Sequence, residues 1–152
     1  CKGNFQMGEN SVINANCRID NRGGIEIGKN VAISEQVVLL TADHDPDSRL
    51  FAGRTFSLKI EDYVWIGTNV LILPNVNLEK ACIIGAGSVV TKNVSAYNIV
   101  AGNPAKIIEK EITQWQKELE TTERLSLEDI GYFIKKPIRT RSSSIMQHDF
   151  GS

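Results

Sequence analysis

Apolar residues recur every six positions through residues 60–95 of this 152-residue chain. The first position of successive blocks holds Ile60, Ile66, Ile72, Leu78, Ile84 and Val90, and the fifth holds Val64, Val70, Val76, Cys82, Ser88 and Val94. An amphipathic helix repeats its apolar positions every three or four residues and a half-buried strand every two, so neither explains this period. A six-residue period is typical of a parallel β-helix, in which each block forms one short strand and three blocks close one triangular coil. The pattern therefore predicts an all-β solenoid.

The period continues toward the N-terminus with interruptions. An apolar-x-apolar alternation marks the same place in successive coils and occurs at Phe5-x-Met7, Ile25-x-Ile27 and Leu58-x-Ile60. Coils that repeat in this way stack in register, with strands roughly 4.8 Å apart. Residues 1–108 are therefore predicted to form one repeat domain. Gly67 and Gly85 are expected at its corners, where a sharp bend leaves no room for a Cβ atom.

Residues 41–57 break the period and are predicted to project as one long loop. Such loops on rigid scaffolds often carry function. This loop contains His44, flanked by Asp43, Asp45 and Asp47. A lone histidine is more often structural, but imidazole changes charge near neutral pH and suits general base catalysis. The carboxylates are expected to hold the loop, contact acceptor hydroxyls or orient the imidazole.

The acidic cluster does not fit a metal site. Asp43-x-Asp45-x-Asp47 begins like a calcium loop, but Ser48 replaces the glycine at the sixth position and Arg54 the glutamate at the twelfth. A catalytic zinc site commonly uses three protein ligands, and the chain has only two histidines, one of them in the C-terminal tail. The sequence therefore predicts no bound metal.

Four segments carry a family resemblance: Val64-Trp65-Ile66-Gly67-Thr68-Asn69-Val70, Ile72-Leu73-Pro74-Asn75-Val76, Ile84-Gly85-Ala86-Gly87-Ser88-Val89-Val90-Thr91-Lys92 and Gly102-Asn103-Pro104-Ala105-Lys106. Around the unbroken repeat, they make residues 5–108 similar to the hexapeptide-repeat acyltransferases. Within that family, the chain resembles the maltose, galactoside and nodulation O-acetyltransferases and the related polysaccharide acetyltransferases. The resemblance implies a left-handed coil, acetyl-CoA as co-substrate and a homotrimer with active sites between subunits.

The resemblance also implies roles for individual residues. It makes His44 the general base and the Thr68 N–H the oxyanion donor, and it places Asn14 against the acceptor sugar. Asn also tolerates the left-handed backbone of tight corners, which is a purely structural reason for its presence, as at Asn30, Asn69 and Asn75.

Acetyl-CoA contacts follow from the same resemblance. They are implied for Trp65, Thr68, Ala86 and Thr91 along the pantetheine slot and for Lys92 and Lys106 near the phosphates. Trp65 also has a structural alternative, packing against a neighbouring subunit or coil, and a surface lysine is usually only solvated. Glu109 stands where some relatives carry a second basic residue.

Composition adds few constraints. With 41% apolar residues and a net charge of −1, the chain is expected to be one soluble domain plus a tail, without affinity for nucleic acid or a membrane surface. Its apolar runs are far shorter than the ~20 residues of a transmembrane helix. No signal peptide is visible, although the chain begins with Cys rather than Met. Cys17 and Cys82 fall on fifth positions and are expected inside the repeat, which favours a reducing cytoplasm.

A change of period follows the repeat. Ile108, Ile112, Trp115 and Leu119 form one apolar helix stripe, so residues 109–135 are predicted to be a helical extension. A second helix is expected from Ser126. Residues 136–152 are predicted to be a flexible tail.

The predicted function is acetyl-CoA-dependent O-acetyl transfer to a hydroxyl of a sugar or polysaccharide precursor, by direct transfer with His44 as base. Alternatives are an amino sugar, serine or antibiotic acceptor, or a non-catalytic trimeric scaffold. The sequence does not name the acceptor.

Overall fold

The computed structural model describes residues 4–108 and 111–123. These residues form fifteen short strands and one helix. Three sheets of parallel strands, here called A, B and C, share most of the strands. Sheet A contains β1 (Phe5–Met7), β4 (Ile25–Ile27) and β9 (Leu58–Ile60); sheet B contains β2 (Val12–Ile13), β5 (Ala32–Ile33), β10 (Trp65–Ile66), β12 (Ile83–Ile84) and β14 (Ile99–Gly102); sheet C contains β3 (Arg18–Ile19), β6 (Val38–Leu39), β11 (Leu71–Ile72) and β13 (Val89–Val90).

Two antiparallel pairs complete the strands. Strand β15 (Ala105–Ile107) pairs with β14 at the edge of sheet B. Strands β7 (Ala42–His44) and β8 (Gly53–Thr55) form a hairpin outside the three sheets. Helix α1 (Gln114–Glu123) follows the last strand.

The chain visits sheets A, B and C in turn, and each strand pairs in register with its equivalents in the preceding and following turns. Ile66 pairs with Ile84, three six-residue blocks further on. Bridges at Ile60, Leu78 and Val94 extend sheet A in the same way. Three consecutive strands or bridges, one from each sheet, correspond to one predicted coil. The residues that link two of them are called a corner below.

The core is built from the first and fifth positions of the repeat. Ile33, Ile66, Ile72 and Leu78 are completely buried. Fully burying such a side chain contributes roughly 1.5–3 kcal/mol relative to exposure. Because every coil repeats the same inward positions, the interior is one continuous stack of aliphatic side chains.

The corner glycines have a different role from the predicted one. Neither Gly67 nor Gly85 has a positive φ, and the left-handed residue of each corner comes two positions later, at Asn69 (φ 58°) and Gly87 (φ 72°). A Cβ atom on Gly67 would lie 2.7 Å from the backbone N of Ala86 in the next coil. Close approach between adjacent coils, rather than the bend, therefore requires glycine at this position.

The prediction that asparagine serves the left-handed corners is confirmed at Asn30 (φ 57°), Asn69 (φ 58°) and Asn75 (φ 62°). Asn10 and Asn16 adopt the same backbone conformation. Asn tolerates this region better than most residues, which explains its recurrence at one place in the repeat.

Helix α1 begins later than the apolar stripe predicts. Ile108 and Ile112 precede the helix, and Trp115 and Leu119 lie within it. Gln116 is buried, and its amide donates to the carbonyls of Ala81 (2.7 Å) and Tyr97 (3.1 Å) at two coil corners. The predicted second helix from Ser126 and the predicted tail at 136–152 lie outside the described residues. In the part of the chain that the structure describes, no helix has the length and apolar character needed to cross a membrane.

Candidate active site

The 41–57 insertion contains a hairpin rather than an irregular loop. Strands β7 and β8 pair Asp43 with Arg54 and His44 with Gly53. The Arg54 guanidinium donates to both carboxylate oxygens of Asp43, at 2.7 and 2.9 Å. These hydrogen bonds lower the pKa of Asp43. Bidentate Arg–carboxylate pairs fix geometry as well as charge, so this pair locks the two strands in register.

His44 is held in one tautomer by a backbone carbonyl. Its Nδ1 lies 2.9 Å from the carbonyl oxygen of Phe51. Because a carbonyl can only accept, Nδ1 carries the proton of this bond, and the lone pair of the neutral ring lies on Nε2. The imidazole also stacks on the Phe51 ring, with 3.9 Å between centroids and 11° between planes. The exposed His44 thus presents a basic Nε2 in a fixed orientation.

The three predicted carboxylates have different surroundings. Both oxygens of Asp43 bind Arg54, so this side chain holds the hairpin. Asp45 accepts the backbone N–H of Asp47 at 3.0 Å and lies 3.8 Å from Arg54. Asp47 is exposed. Asp45 and Asp47 are therefore the two carboxylates with capacity left for an acceptor hydroxyl.

A second group of predicted residues surrounds the corner between β10 and β11. Trp65 lies on the outer face of sheet B and is 48% exposed. Thr68 is exposed, and its N–H makes no hydrogen bond to any described residue. Its carbonyl accepts the N–H of Gly87 at 2.9 Å, which places Ala86 at the equivalent corner position of the next coil. The structure therefore brings Trp65, Thr68 and Ala86 together on two adjacent coils.

The remaining predicted residues lie apart from that corner. Thr91 and Lys92 are exposed at the corner after β13, beyond sheet C. Lys106 lies on β15 opposite Ala101. Asn14 follows β2 in the first coil, and its Nδ2 donates to the Ile33 carbonyl at 2.9 Å. Its Oδ1 has no donor partner among the described residues, so it is available to a ligand.

His44 and Thr68 leave the coils at different corners. The hairpin follows β6 of sheet C, whereas Thr68 follows β10 of sheet B. Within residues 4–108, no hydrogen bond or ion pair joins the hairpin to Trp65, Thr68 or Ala86. His44 and the Thr68 N–H of one chain thus belong to two separate groups.

The contacts of Phe51 with His44 and of Arg54 with Asp43 were not predicted from the sequence. These contacts depend on the antiparallel pairing of β7 with β8, which brings residues seven and eleven positions apart together. The sequence signal was an arginine able to pair with Asp43 across a short hairpin. Nothing in the six-residue period indicates Phe51.

The two described cysteines differ in burial. Cys82 is completely buried, as expected from its fifth position, and burial raises the pKa of its thiol to about 12. Cys17 is half-buried, and its Sγ–H donates to the Ser34 carbonyl. Among residues 4–108 and 111–123, no three His, Cys, Asp or Glu side chains are grouped closely enough to hold a metal ion.

The six-residue repeat matches that of a known protein family. Residues 57–92 match the family model described as bacterial transferase hexapeptide (six repeats). This segment belongs to the bacterial transferase hexapeptide family. The matched hexapeptides span β9 to β13 and include Trp65, Thr68, Ala86, Thr91 and Lys92.

Relatives of the whole repeat domain are named acetyltransferases. The galactoside O-acetyltransferase of Escherichia coli is 34% identical over 108 residues, which are 69% of this chain and 53% of the relative. The crystal structure of a maltose O-acetyltransferase from Clostridium difficile 630 is 38% identical, with a TM-score of 0.66 over 70% of this chain and 58% of that one. A hexapeptide-repeat acetyltransferase of Vibrio cholerae O1 biovar eltor, complexed with acetyl coenzyme A, is 30% identical, with a TM-score of 0.67 over 72% and 61%. The chain spans about half the length of the curated relatives it matches.

Proposed function

We propose that the protein transfers an acetyl group from acetyl-CoA to a hydroxyl of a sugar or polysaccharide precursor. The observation that carries the proposal is the exposed imidazole of His44, whose Nδ1–H is bound by the Phe51 carbonyl so that Nε2 is the basic atom. The names of the relatives, galactoside and maltose O-acetyltransferases, support a sugar hydroxyl as acceptor. The complex of the Vibrio cholerae relative supports acetyl-CoA as donor.

We further infer that sheets A, B and C are the three faces of a left-handed parallel β-helix. The in-register pairing of every third strand supports the coiled arrangement. The handedness is inferred from the hexapeptide family.

The chemistry requires a base, an oxyanion donor and alignment of two substrates. His44 Nε2 removes the proton of the acceptor hydroxyl while that oxygen attacks the thioester carbonyl. The Thr68 N–H, which has no partner among the described residues, donates to the oxyanion of the tetrahedral intermediate. Collapse breaks the C–S bond, and the leaving thiolate takes the proton from the imidazolium. No covalent acyl-enzyme is needed, which agrees with the burial of Cys82.

Three surfaces of the repeat domain differ in polarity. Outward positions are apolar along sheet B at Val12, Ala32, Trp65, Ile83 and Ile99, and polar along sheet A at Gln6, Glu26 and Lys59. Along sheet C they are apolar at Val38, Leu71 and Val89, and the first coil differs, with the exposed Arg18 at this position. A closed ring of identical subunits uses two different surfaces of each chain. These apolar faces therefore favour a homotrimer in which sheet B and the part of sheet C that follows the first coil contact neighbours. Such a trimer would bring the His44 hairpin of one chain to the Thr68 corner of another.

The trimer is tested by placing a charge on one apolar face. Leu71→Asp is expected to shift the protein from a three-chain to a one-chain mass in analytical ultracentrifugation at micromolar concentration, because the carboxylate would be buried without a partner. Asn77→Asp, on the polar side of the coil, is the matched control and should remain trimeric. A native protein that sediments as one chain at this concentration would contradict the assembly.

The activity is tested by following thiol release from acetyl-CoA with a panel of sugar and amine acceptors. We expect release with sugars that offer a free hydroxyl and no comparable rate with amino sugars, serine or aminoglycosides acetylated at nitrogen. Faster transfer to amino sugars or aminoglycosides, with the acetyl group found on nitrogen in the product, would move the function to N-acetylation, and faster transfer to serine would make an amino acid the acceptor. No transfer to any acceptor, together with no binding of acetyl-CoA, would leave the scaffold alternative.

A further inference from the structure

A cleft of about 520 Å³ lies beside the base of the His44 hairpin. It is lined by Arg18, Ile19, Asp20, Arg22 and Leu40. Residues 20–22 form the same corner, between sheets C and A, from which the hairpin projects one coil later. The cleft and the hairpin are therefore stacked neighbours, because equivalent strands of adjacent coils lie roughly 4.8 Å apart.

Thr41 joins the cleft to the hairpin. It is completely buried, and its Oγ1 donates to the carbonyl of Asp20 (2.7 Å) and accepts the N–H of Gly23 (3.0 Å). Strand β7 starts at the next residue and reaches His44 after roughly 10 Å of extended chain. A ligand that spans this distance can contact both the cleft and the base.

Arg22 keeps one edge of its guanidinium available. Its Nε and one Nη donate to the two carboxylate oxygens of Asp20, at 2.8 and 2.9 Å. These hydrogen bonds lower the pKa of Asp20 to about 2. A guanidinium has five N–H donors, and an edge formed by its two Nη atoms can still accept a second anion in bidentate fashion. Asp20 thus orients the Arg22 guanidinium and leaves some of its N–H donors available for a ligand.

Arg18 supplies a second cation at the cleft. It lies on the outer face of sheet C, in register with Val38, and is exposed. Among the described residues its guanidinium has no ion-pair or hydrogen-bond partner. With two arginines and one aspartate, the lining carries one net positive charge. The chain as a whole carries −1, so the positive charge here is local.

We propose that the acceptor is an anionic saccharide, whose carboxylate or phosphate group binds Arg18 and Arg22 while a hydroxyl of a neighbouring unit meets His44. This inference rests on the proposed acetyl transfer, since it names the acceptor class of the same site. Arg is the side chain best suited to planar, bidentate recognition of carboxylate and phosphate. Asp45 and Asp47 then face the uncharged part of the acceptor, where hydroxyl groups require hydrogen-bond acceptors.

Calorimetric binding tests the proposal on the intact protein saturated with coenzyme A. The probes are maltose, maltose 1-phosphate and a glucuronosyl-glucose disaccharide, so that the phosphate and carboxylate sources are separate arms. We expect at least one anionic disaccharide to bind about tenfold or more tightly than maltose, because a hydrogen bond to a charged group is typically worth that factor. The preference should fall by a similar factor in Arg18→Gln and Arg22→Gln. Arg22→Lys keeps the charge but not the bidentate edge, so it should keep only part of the preference. Lys29→Gln, a neutralised surface lysine outside the cleft, is the control and should keep it.

The outcomes separate this proposal from the proposed function. Equal affinity for all three disaccharides, or a preference that survives both glutamine variants, would mean that the arginines are only solvated and would overturn the proposal. Arg18→Gln is the more decisive variant, because the Arg18 guanidinium has no ion-pair or hydrogen-bond partner among the described residues whose loss could disturb the fold. An anionic preference without any thiol release from acetyl-CoA would retain the binding site and reject acetyl transfer.

Discussion

Replacing His44 by Ala is expected to slow acetyl transfer by about 10² to 10⁴, the usual contribution of a positioned general base. The change removes Nε2, the atom that we propose takes the hydroxyl proton, and leaves the Asp43–Arg54 pair and the hairpin register in place. Steady-state kcat with a saturating acceptor measures the effect. Arg49→Ala, an exposed substitution in the same insertion, should keep kcat within a few-fold.

Acetyl-CoA binding should survive the His44 substitution. The residues implied for the coenzyme slot lie on sheet B and on the last coils, and no described hydrogen bond links them to the hairpin. A dissociation constant that stays within about threefold of the native value, by calorimetry, would separate loss of the base from loss of the fold. A His44→Ala protein with near-native kcat on its acceptor would remove His44 from the mechanism.

A base role for His44 also predicts the direction in which kcat/KM changes with pH. Only neutral imidazole accepts a proton, and the Nδ1–H bond to the Phe51 carbonyl is compatible with both charge states. The native kcat/KM should therefore rise, and not fall, with pH where loss of the imidazolium proton limits the reaction. In His44→Ala this rise should be absent. A profile that falls with pH would mean that His44 acts as an acid instead.

Thr68→Pro is expected to lower kcat by about 10² to 10³, the cost of removing one oxyanion donor. Proline removes the N–H, and this N–H makes no hydrogen bond within the described residues, so the fold loses no backbone bond. The carbonyl that accepts the Gly87 N–H remains. Because the donor acts on the transition state, KM for the acceptor should change little.

Glu35→Pro is the matched control for this substitution. Glu35 occupies the equivalent corner position one coil earlier, its N–H is also without a partner among the described residues, and its carbonyl accepts the Asn69 N–H. The same backbone change there should leave kcat within a few-fold. Equal losses in the two proline variants would indicate a general disturbance of the corners, and no loss in Thr68→Pro would exclude the N–H as donor.

Much of the fold could be predicted because one rule governs it. The six-residue period gives both the strand positions and the inward side chains, so Ile66 and Leu78 were recognisable as core residues. The predicted reason for glycine at the corners was wrong. The backbone contact that excludes a Cβ atom from Gly67 comes from the next coil, and the sequence of one six-residue block does not indicate it. Helix α1 starts after the apolar stripe begins, since β14 and β15 use the chain up to Ile107 for strand pairing.

The candidate site was only partly predictable for a related reason. His44 was identifiable because the period stops around it, but its tautomer depends on the Phe51 carbonyl, which the hairpin brings back across seven residues. Of the three roles expected for the carboxylates, Asp43 holds the loop, and only the pairing of β7 with β8 shows that Arg54 is its partner. The cleft at Arg18 and Arg22 depends on stacking of consecutive coils, which a linear pattern predicts without giving side-chain positions.

Because His44 and Thr68 lie apart within one chain, the most direct test asks whether residues of two different chains form one active site. Each variant alone should be nearly inactive, one for lack of the base and the other for lack of the oxyanion donor. In mixed trimers, a site with native His44 from the Thr68→Pro chain and native Thr68 from the His44→Ala chain would be complete.

The measurement is therefore the rate of acetyl transfer after the two variants are co-expressed and purified together. Random mixing in a closed ring should restore about one quarter of the native activity per chain, because each site needs one specific chain on each side. Mixing the separately assembled trimers without exchange of subunits is the control and should restore nothing. Activity of the co-expressed protein that stays at the level of the single variants would contradict a site shared between chains.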